Sequence, residues 1–121
     1  MLASGPLVSS ALKTSNTGKD RLIVLLYDGA LKFMKLAIQE LEAGHYAEKG
    51  RYINRAQNII NELNAILDVK AGGEIADNLR RLYCFMNSRL SEANAKCDTR
   101  MIRDVITLTE ELSSGWKAIA G

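Results

Sequence analysis

The sequence predicts an all-α fold, an antiparallel four-helix bundle preceded by a flexible arm. Apolar residues recur at helical spacing along most of the chain, and no segment shows the strict alternation of a half-buried strand. The single proline is Pro6, so the remaining chain has no helix-breaking proline. Glycines divide the periodic region into helix-length segments joined by short connections, which predicts that consecutive helices pack antiparallel.

Residues 1–17 are rich in Ser, Ala, Thr and Gly and show no sustained apolar stripe. We expect this segment to be a flexible N-terminal arm, and residues 18–121 to form the four-helix domain. The first helix should begin near Gly18, with Asn16 or Thr17 as its N-cap. Its apolar face comprises Ile23, Leu26, Tyr27, Ala30, Phe33, Met34, Ala37, Ile38 and Leu41.

Gly44 stands where a C-terminal cap is expected, so the first helix should end there. The second helix follows directly and ends near Leu67 or Asp68. The glycine-containing break at 70–73 precedes a third helix over about residues 74–96. These connections are short enough to make neighbouring helices antiparallel.

Asp98 or Thr99 is the expected N-cap of the fourth helix. The stretch 113–115, Ser-Ser-Gly, has low helix propensity and is expected to interrupt or loosen this helix before Trp116. The apolar face of the fourth helix is nevertheless long, comprising Ile102, Val105, Ile106, Leu108, Leu112, Trp116 and Ile119.

Composition excludes several function classes. The net charge of +2 is the difference between 16 basic and 14 acidic residues, which are interleaved, so no nucleic-acid partner is expected. The N-terminal segment lacks a basic region and a continuous apolar run, so it is not expected to be a signal peptide, and no apolar stretch is long enough to span a membrane. Cys84 and Cys97 lack the spacing of a metal site or a disulfide pair, which favours a cytoplasmic protein with reduced thiols.

No catalytic or metal-binding constellation is present either. Residues 42–45, Glu-Ala-Gly-His, match one half of a bundle di-iron motif, but they cross a glycine at a helix end and have no second copy. His45 is the single histidine and is expected in an exposed loop. We therefore expect no enzyme activity, cofactor, metal or small-molecule substrate.

Gly29 lies in the middle of an otherwise strong helix, where glycine costs about 1 kcal/mol relative to alanine. We therefore expect a close neighbour at this position, either another helix of the same fold or a partner chain. Both alternatives indicate a packing or docking surface.

The second helix carries more apolar residues than a minimal core stripe needs. Tyr52, Ile59 and Ile66 stand beside that stripe at seven-residue spacing, and Phe85 widens the third helix in the same way. Short polar side chains lie nearby at Asn54, Asn58, Asn61 and Asn64. These extra apolar residues are either buried in the bundle or line a groove for an amphipathic partner helix. Tyr52 should remain partly exposed because its hydroxyl needs water or a partner.

Several segments together resemble FliS, the flagellin export chaperone family. They are Leu25-Leu26-Tyr27-Asp28-Gly29-Ala30, Ala56-Gln57-Asn58-Ile59-Ile60 with Leu63 and Leu67, Leu79 with Leu82-Tyr83, Leu90 through Ala93-Asn94, and Trp116. Their order and spacing are similar from about Leu22 to Trp116. The family-typical positions are Tyr27, Asp28, Gly29, Ala56, Gln57, Ile60, Tyr83, Ala93 and Asn94.

The resemblance implies a cytoplasmic chaperone of flagellar type III secretion. Such a protein binds the disordered C-terminal segment of flagellin, prevents its premature polymerisation and delivers it for export, where the family also contacts the export-gate membrane protein. No nucleotide or metal is implied. The expected flagellin contacts are Ile59, Leu63, Ile66 and Leu67 on the second helix and Leu79, Leu82 and Phe85 on the third.

The arm differs from the family pattern. No tyrosine precedes Tyr27, and the helix start at 17–20 reads Thr-Gly-Lys-Asp where relatives have a Ser-Pro-Glu type start. This difference argues against gate docking through the arm. Its apolar residues, Leu2, Leu7, Val8 and Leu12, are instead expected to lie over the client surface until the client displaces them. The alternatives are a helical adaptor for a different secreted or regulatory protein and a structural, dimerising bundle.

Overall fold

The computed structural model describes residues 17–67 and 73–120, which form four helices and, within those ranges, no strand. The helices are α1 (Thr17–Glu42), α2 (Tyr46–Ile66), α3 (Glu74–Lys96) and α4 (Thr99–Ala120). Each helix packs against the next, and α4 closes the ring by packing against α1. The predicted all-α four-helix bundle is therefore confirmed.

The helix ends follow the capping residues in the sequence. Gly44 adopts φ 81° after α1, and the amide of His45 donates to the Glu40 carbonyl at 2.8 Å, as in a glycine-terminated helix. Asp98 caps α4, because its Oδ1 accepts from the Arg100 amide at 2.8 Å. The predicted arm lies outside the described residues except for Thr17, where α1 begins.

One local expectation is wrong. The fourth helix continues without interruption through 113–115 to Ala120. Ser113 and Trp116 are both buried, so this part of α4 is held against the other helices. Tertiary packing outweighs the low intrinsic propensity of Ser and Gly, which amounts to roughly 0.5–1 kcal/mol per residue.

A tyrosine pair crosses the centre of the bundle. The hydroxyls of Tyr27 on α1 and Tyr83 on α3 lie 2.6 Å apart, and both side chains are buried. The Trp116 side chain of α4 also reaches the Tyr27 hydroxyl. Burial raises the pKa of both phenols above the ordinary value, so both remain neutral and one hydroxyl donates its proton to the oxygen of the other. The apolar core around the pair includes Met34, Ile53, Ile60, Met86, Leu90, Ile102 and Val105.

Replacing Tyr27 with Phe leaves the buried Tyr83 hydroxyl without its phenol partner. We expect a loss of about 1–3 kcal/mol in the free energy of unfolding, measured by urea denaturation. The double Phe variant should lose less than the sum of the two single variants, because neither hydroxyl is then stranded. Strictly additive losses would contradict coupling through this hydrogen bond.

Candidate interaction surface

An apolar strip runs along the outside of the α1–α2 seam. On α1 it contains Leu22, Leu25, Gly29 and Phe33, which share one side of the helix, and on α2 it contains Tyr52, Ile59 and Ile66. We call these residues the α1–α2 strip.

Two contacts fix the register of the strip. The rings of Phe33 and Tyr52 stack with centroids 6.0 Å apart, and Gly29 faces Ile59. Because the helices are antiparallel, Leu22 then lies level with Ile66.

The α1 end of this strip is open to solvent. Leu25 is 65% exposed and Leu22 is 46% exposed, whereas Tyr52, Ile59 and Ile66 are half-buried. A contiguous exposed apolar surface on a small domain marks an interaction site more often than chance. Leu22 and Leu25 lie outside the core periodicity of α1, and this placement is the sequence pattern that could have revealed the exposed part of the strip.

Gly29 allows the close approach that the sequence required. A Cβ built at this position would lie 3.2 Å from Ile59 Cδ1, closer than side chains ordinarily pack. The neighbour is therefore a helix of the same fold. Ile59, one of the predicted contact residues, fills the space that the missing side chain leaves.

The α2–α3 seam, in contrast, is polar. Gln57 Nε2 donates to the Asn87 carbonyl at 3.0 Å and to Ser91 Oγ at 2.7 Å. The buried Lys49 donates to the carbonyl and to Oδ1 of Asn94 at 3.0 and 2.6 Å, next to the C-terminus of α3. Two further contacts complete this row, Asn87 to Asn61 at 2.7 Å and Arg80 to Asn64 at 3.4 Å.

The α1–α4 seam is closed by ion pairs. Three of them join the two helices: Lys35–Glu110 at 3.7 Å, Lys117–Asp28 at 3.6 Å and Arg103–Glu42 at 3.2 Å. All these side chains are exposed, so each pair contributes little to stability. Their effect is to cover this seam with charge.

A second apolar surface lies on the α3–α4 side. Arg89 on α3 pairs with Asp104 on α4 at 3.0 Å, which turns this side of α3 toward α4. Phe85, one turn earlier on the same side of α3, is 51% exposed and lies level with Leu108. We define the α3–α4 patch as Leu82, Phe85, Leu108 and Leu112.

The seven predicted contact residues do not form a single groove. Ile59 and Ile66 belong to the α1–α2 strip, and Leu82 and Phe85 belong to the α3–α4 patch. Leu63 is 3% exposed and faces the core, and the half-buried Leu67 and Leu79 pack against the core. Their role in binding stays a prediction. Sequence reasoning missed Leu22, Leu25, Leu108 and Leu112 as members of the two surfaces.

The family-typical residues mostly build the bundle. Tyr27, Ala56, Ile60, Tyr83 and Ala93 are buried in the core. Gln57 and Asn94 join α2 to α3 through side-chain hydrogen bonds, and Asp28 pairs with Lys117 across the α1–α4 seam.

The described residues contain no group of three or more His, Cys, Asp or Glu side chains that could hold a metal ion. His45 is exposed, and its Nδ1 lies 2.7 Å from Glu40 Oε1. Cys84 and Cys97 are free and exposed. Within the same described ranges, no helix is long and apolar enough to cross a membrane.

Comparison with known proteins identifies close relatives. Residues 9–121 match the family described as flagellar protein FliS. The chain is 41% identical over 113 residues to the flagellar secretion chaperone FliSB of Pseudomonas aeruginosa, covering 93% of this chain and 90% of the relative. It is 42% identical over 101 residues to the flagellar secretion chaperone FliS of Salmonella typhimurium, covering 83% and 75%. The Bacillus subtilis chaperone of that name is 34% identical over 108 residues, covering 89% and 78%.

Gly29→Ala tests the close approach of α1 and α2. Alanine favours the helix by about 1 kcal/mol, but its Cβ requires Ile59 to shift, so we expect a smaller gain in the free energy of unfolding. In an Ile59→Val background, which removes Cδ1, the gain should rise to about 1 kcal/mol. Equal gains in both backgrounds, measured by urea denaturation, would show that this contact does not constrain the position.

Proposed function

The chain belongs to the FliS family of flagellar secretion chaperones, and from this membership we propose that its client is flagellin. The chaperone binds the disordered C-terminal segment of flagellin in the cytoplasm. Binding covers apolar residues that would otherwise drive premature polymerisation, and it holds flagellin ready for export. The proposed action is binding alone, without a chemical step, cofactor or metal.

The single observation that supports a disordered client is the separation of the two apolar surfaces. The α1–α2 strip and the α3–α4 patch lie on opposite sides of the ring of helices, with the polar α2–α3 and α1–α4 seams between them. One straight helix of the client can occupy one side only. A segment that is disordered before binding can contact both sides by wrapping around the bundle.

The energetics of such a complex favour several surfaces over one. A segment that folds on binding uses about 2–5 kcal/mol or more of the interaction energy for its own ordering. Interfaces of this kind bury roughly 1,000–3,000 Å². The exposed Leu25 and Phe85 each offer apolar area to a partner without prior rearrangement of the bundle.

Delivery for export requires a further contact, for which we propose the export-gate membrane protein as partner. A client that crosses between the two apolar surfaces over the α2–α3 seam leaves the α1–α4 seam accessible, and that seam carries the charged side chains that a transient contact uses. The protein acts without inserting into a membrane. No nucleic acid or small molecule takes part.

Client binding on both surfaces is tested with Leu25→Asp and Phe85→Asp. Each variant places a charge in one surface, so each should weaken binding of the C-terminal flagellin segment about tenfold. The measurement is isothermal titration at several temperatures, with Ile59→Asp as a further variant of the strip. Wild-type binding should show a negative heat-capacity change.

Asn54→Asp and Ser88→Asp are matched controls, since both residues are exposed on α2 and α3 outside the two surfaces. Loss of binding in only one of the two surface variants would limit the client to one side of the bundle. No saturable binding by the wild-type protein at micromolar concentrations would overturn flagellin as the client and favour a helical adaptor for a different protein.

The N-terminal arm competes with the client in this proposal. Leu2, Leu7, Val8 or Leu12 would occupy the client surface until flagellin displaces them. Deleting residues 1–17 should therefore tighten binding of the flagellin segment in the same titration. Unchanged or weaker affinity in a variant that remains fully helical by circular dichroism would contradict a lid role for the arm.

A further inference from the structure

Arg55 stands at one end of the α1–α2 strip on an aromatic platform. Its guanidinium carbon lies 5.6 Å from the ring centroid of Phe33 and 5.8 Å from that of Tyr52. The two ring centroids lie 6.0 Å apart with an interplanar angle of 22°, and the guanidinium lies within cation–π distance of both rings. These contacts restrict the side chain and hold its charge beside the apolar residues.

The charge of Arg55 is not balanced within the part of the chain that the structure describes. No carboxylate there pairs with it, since Glu48 pairs with Arg51 and Glu40 contacts His45. Glu62 lies seven residues away on the same helix, which is about 10 Å. The side chain is exposed, so N–H donors of the guanidinium remain open to a partner.

We propose that Arg55 binds a carboxylate of the client helix that packs on the α1–α2 strip. This inference rests on the proposed function and adds the chemistry of one client segment. From Leu22 to Phe33 the strip extends about 16 Å, which is the length of about three helical turns. The client segment is therefore an amphipathic helix of about three turns with an Asp or Glu beside its apolar residues.

The geometry also gives the reason for an arginine at this position. A planar guanidinium can donate two parallel hydrogen bonds to a carboxylate, whereas a lysine ammonium acts as a point charge. The aromatic platform reduces the rotamer freedom that a long side chain would otherwise lose on binding. Arg55 would thus set the position of the client helix along the strip.

The test compares Arg55→Gln and Arg55→Lys with the wild-type protein by isothermal titration of the C-terminal flagellin segment at several salt concentrations. We expect Arg55→Gln to weaken binding about tenfold and to reduce its salt dependence. The affinity of Arg55→Lys for the flagellin segment should fall between those of the wild-type protein and Arg55→Gln. Arg100→Gln is the matched control, because Arg100 is an exposed arginine at the start of α4, about two turns from Leu108.

A second series identifies the carboxylate. Flagellin segments with single Asp→Asn or Glu→Gln changes are titrated against the wild-type protein and against Arg55→Gln. One change should weaken binding to the wild-type protein and cause no further loss with Arg55→Gln. If Arg55→Gln weakens binding but no carboxylate of the segment couples to it, Arg55 acts only by supporting the two rings, and the inference is overturned.

The failure of this inference is distinguishable from the failure of the proposed function. Wild-type affinity in Arg55→Gln, together with weak binding in Leu25→Asp, would exclude a role for Arg55 while leaving flagellin as the client. Absence of binding by the wild-type protein would overturn both.

Discussion

The hydrogen bond between the buried hydroxyls of Tyr27 and Tyr83 is the contact on which the arrangement of the helices depends. It joins two helices that face each other across the ring, from residues 56 positions apart in the chain. A buried hydroxyl without a partner costs about 1–3 kcal/mol, so a rotation of α1 or α3 that separates the two hydroxyls is disfavoured by about that amount. The Trp116 side chain of α4 contacts the same Tyr27 hydroxyl. Fixing these rotations decides which residues line each seam.

The four seams then differ in chemistry according to their place in the ring. Side-chain hydrogen bonds of Gln57 and Asn94 close the α2–α3 seam, and ion pairs close the α1–α4 seam. Each such contact contributes only about 1 kcal/mol or less to net stability, so their main effect is to hold the helices in one register. The two remaining seams carry the apolar surface. Client binding and bundle assembly can therefore use different sides of the same helices.

Exposed leucines on a small bundle increase the tendency to self-associate, yet Leu25 is largely open to solvent. A secretion chaperone requires such a surface, because its client buries apolar residues only temporarily. Gly29, on the same strip, also has two opposing effects. Its missing side chain lowers helix propensity, but it leaves room for Ile59 to pack close to α1.

The secondary structure and the fold class follow from the amino-acid sequence alone, because helical periodicity and capping are local properties. Gly44 and Asp98 mark helix ends that the structure reproduces, and the third helix matches its predicted bounds. Three features depend on packing between helices: Ile59 and Phe85 lie on opposite surfaces, Leu63 faces the core, and α4 continues past Ser113. Periodicity shows which residues share a face of one helix. The direction in which that face points depends on contacts between helices, and these contacts join residues that are distant in the chain.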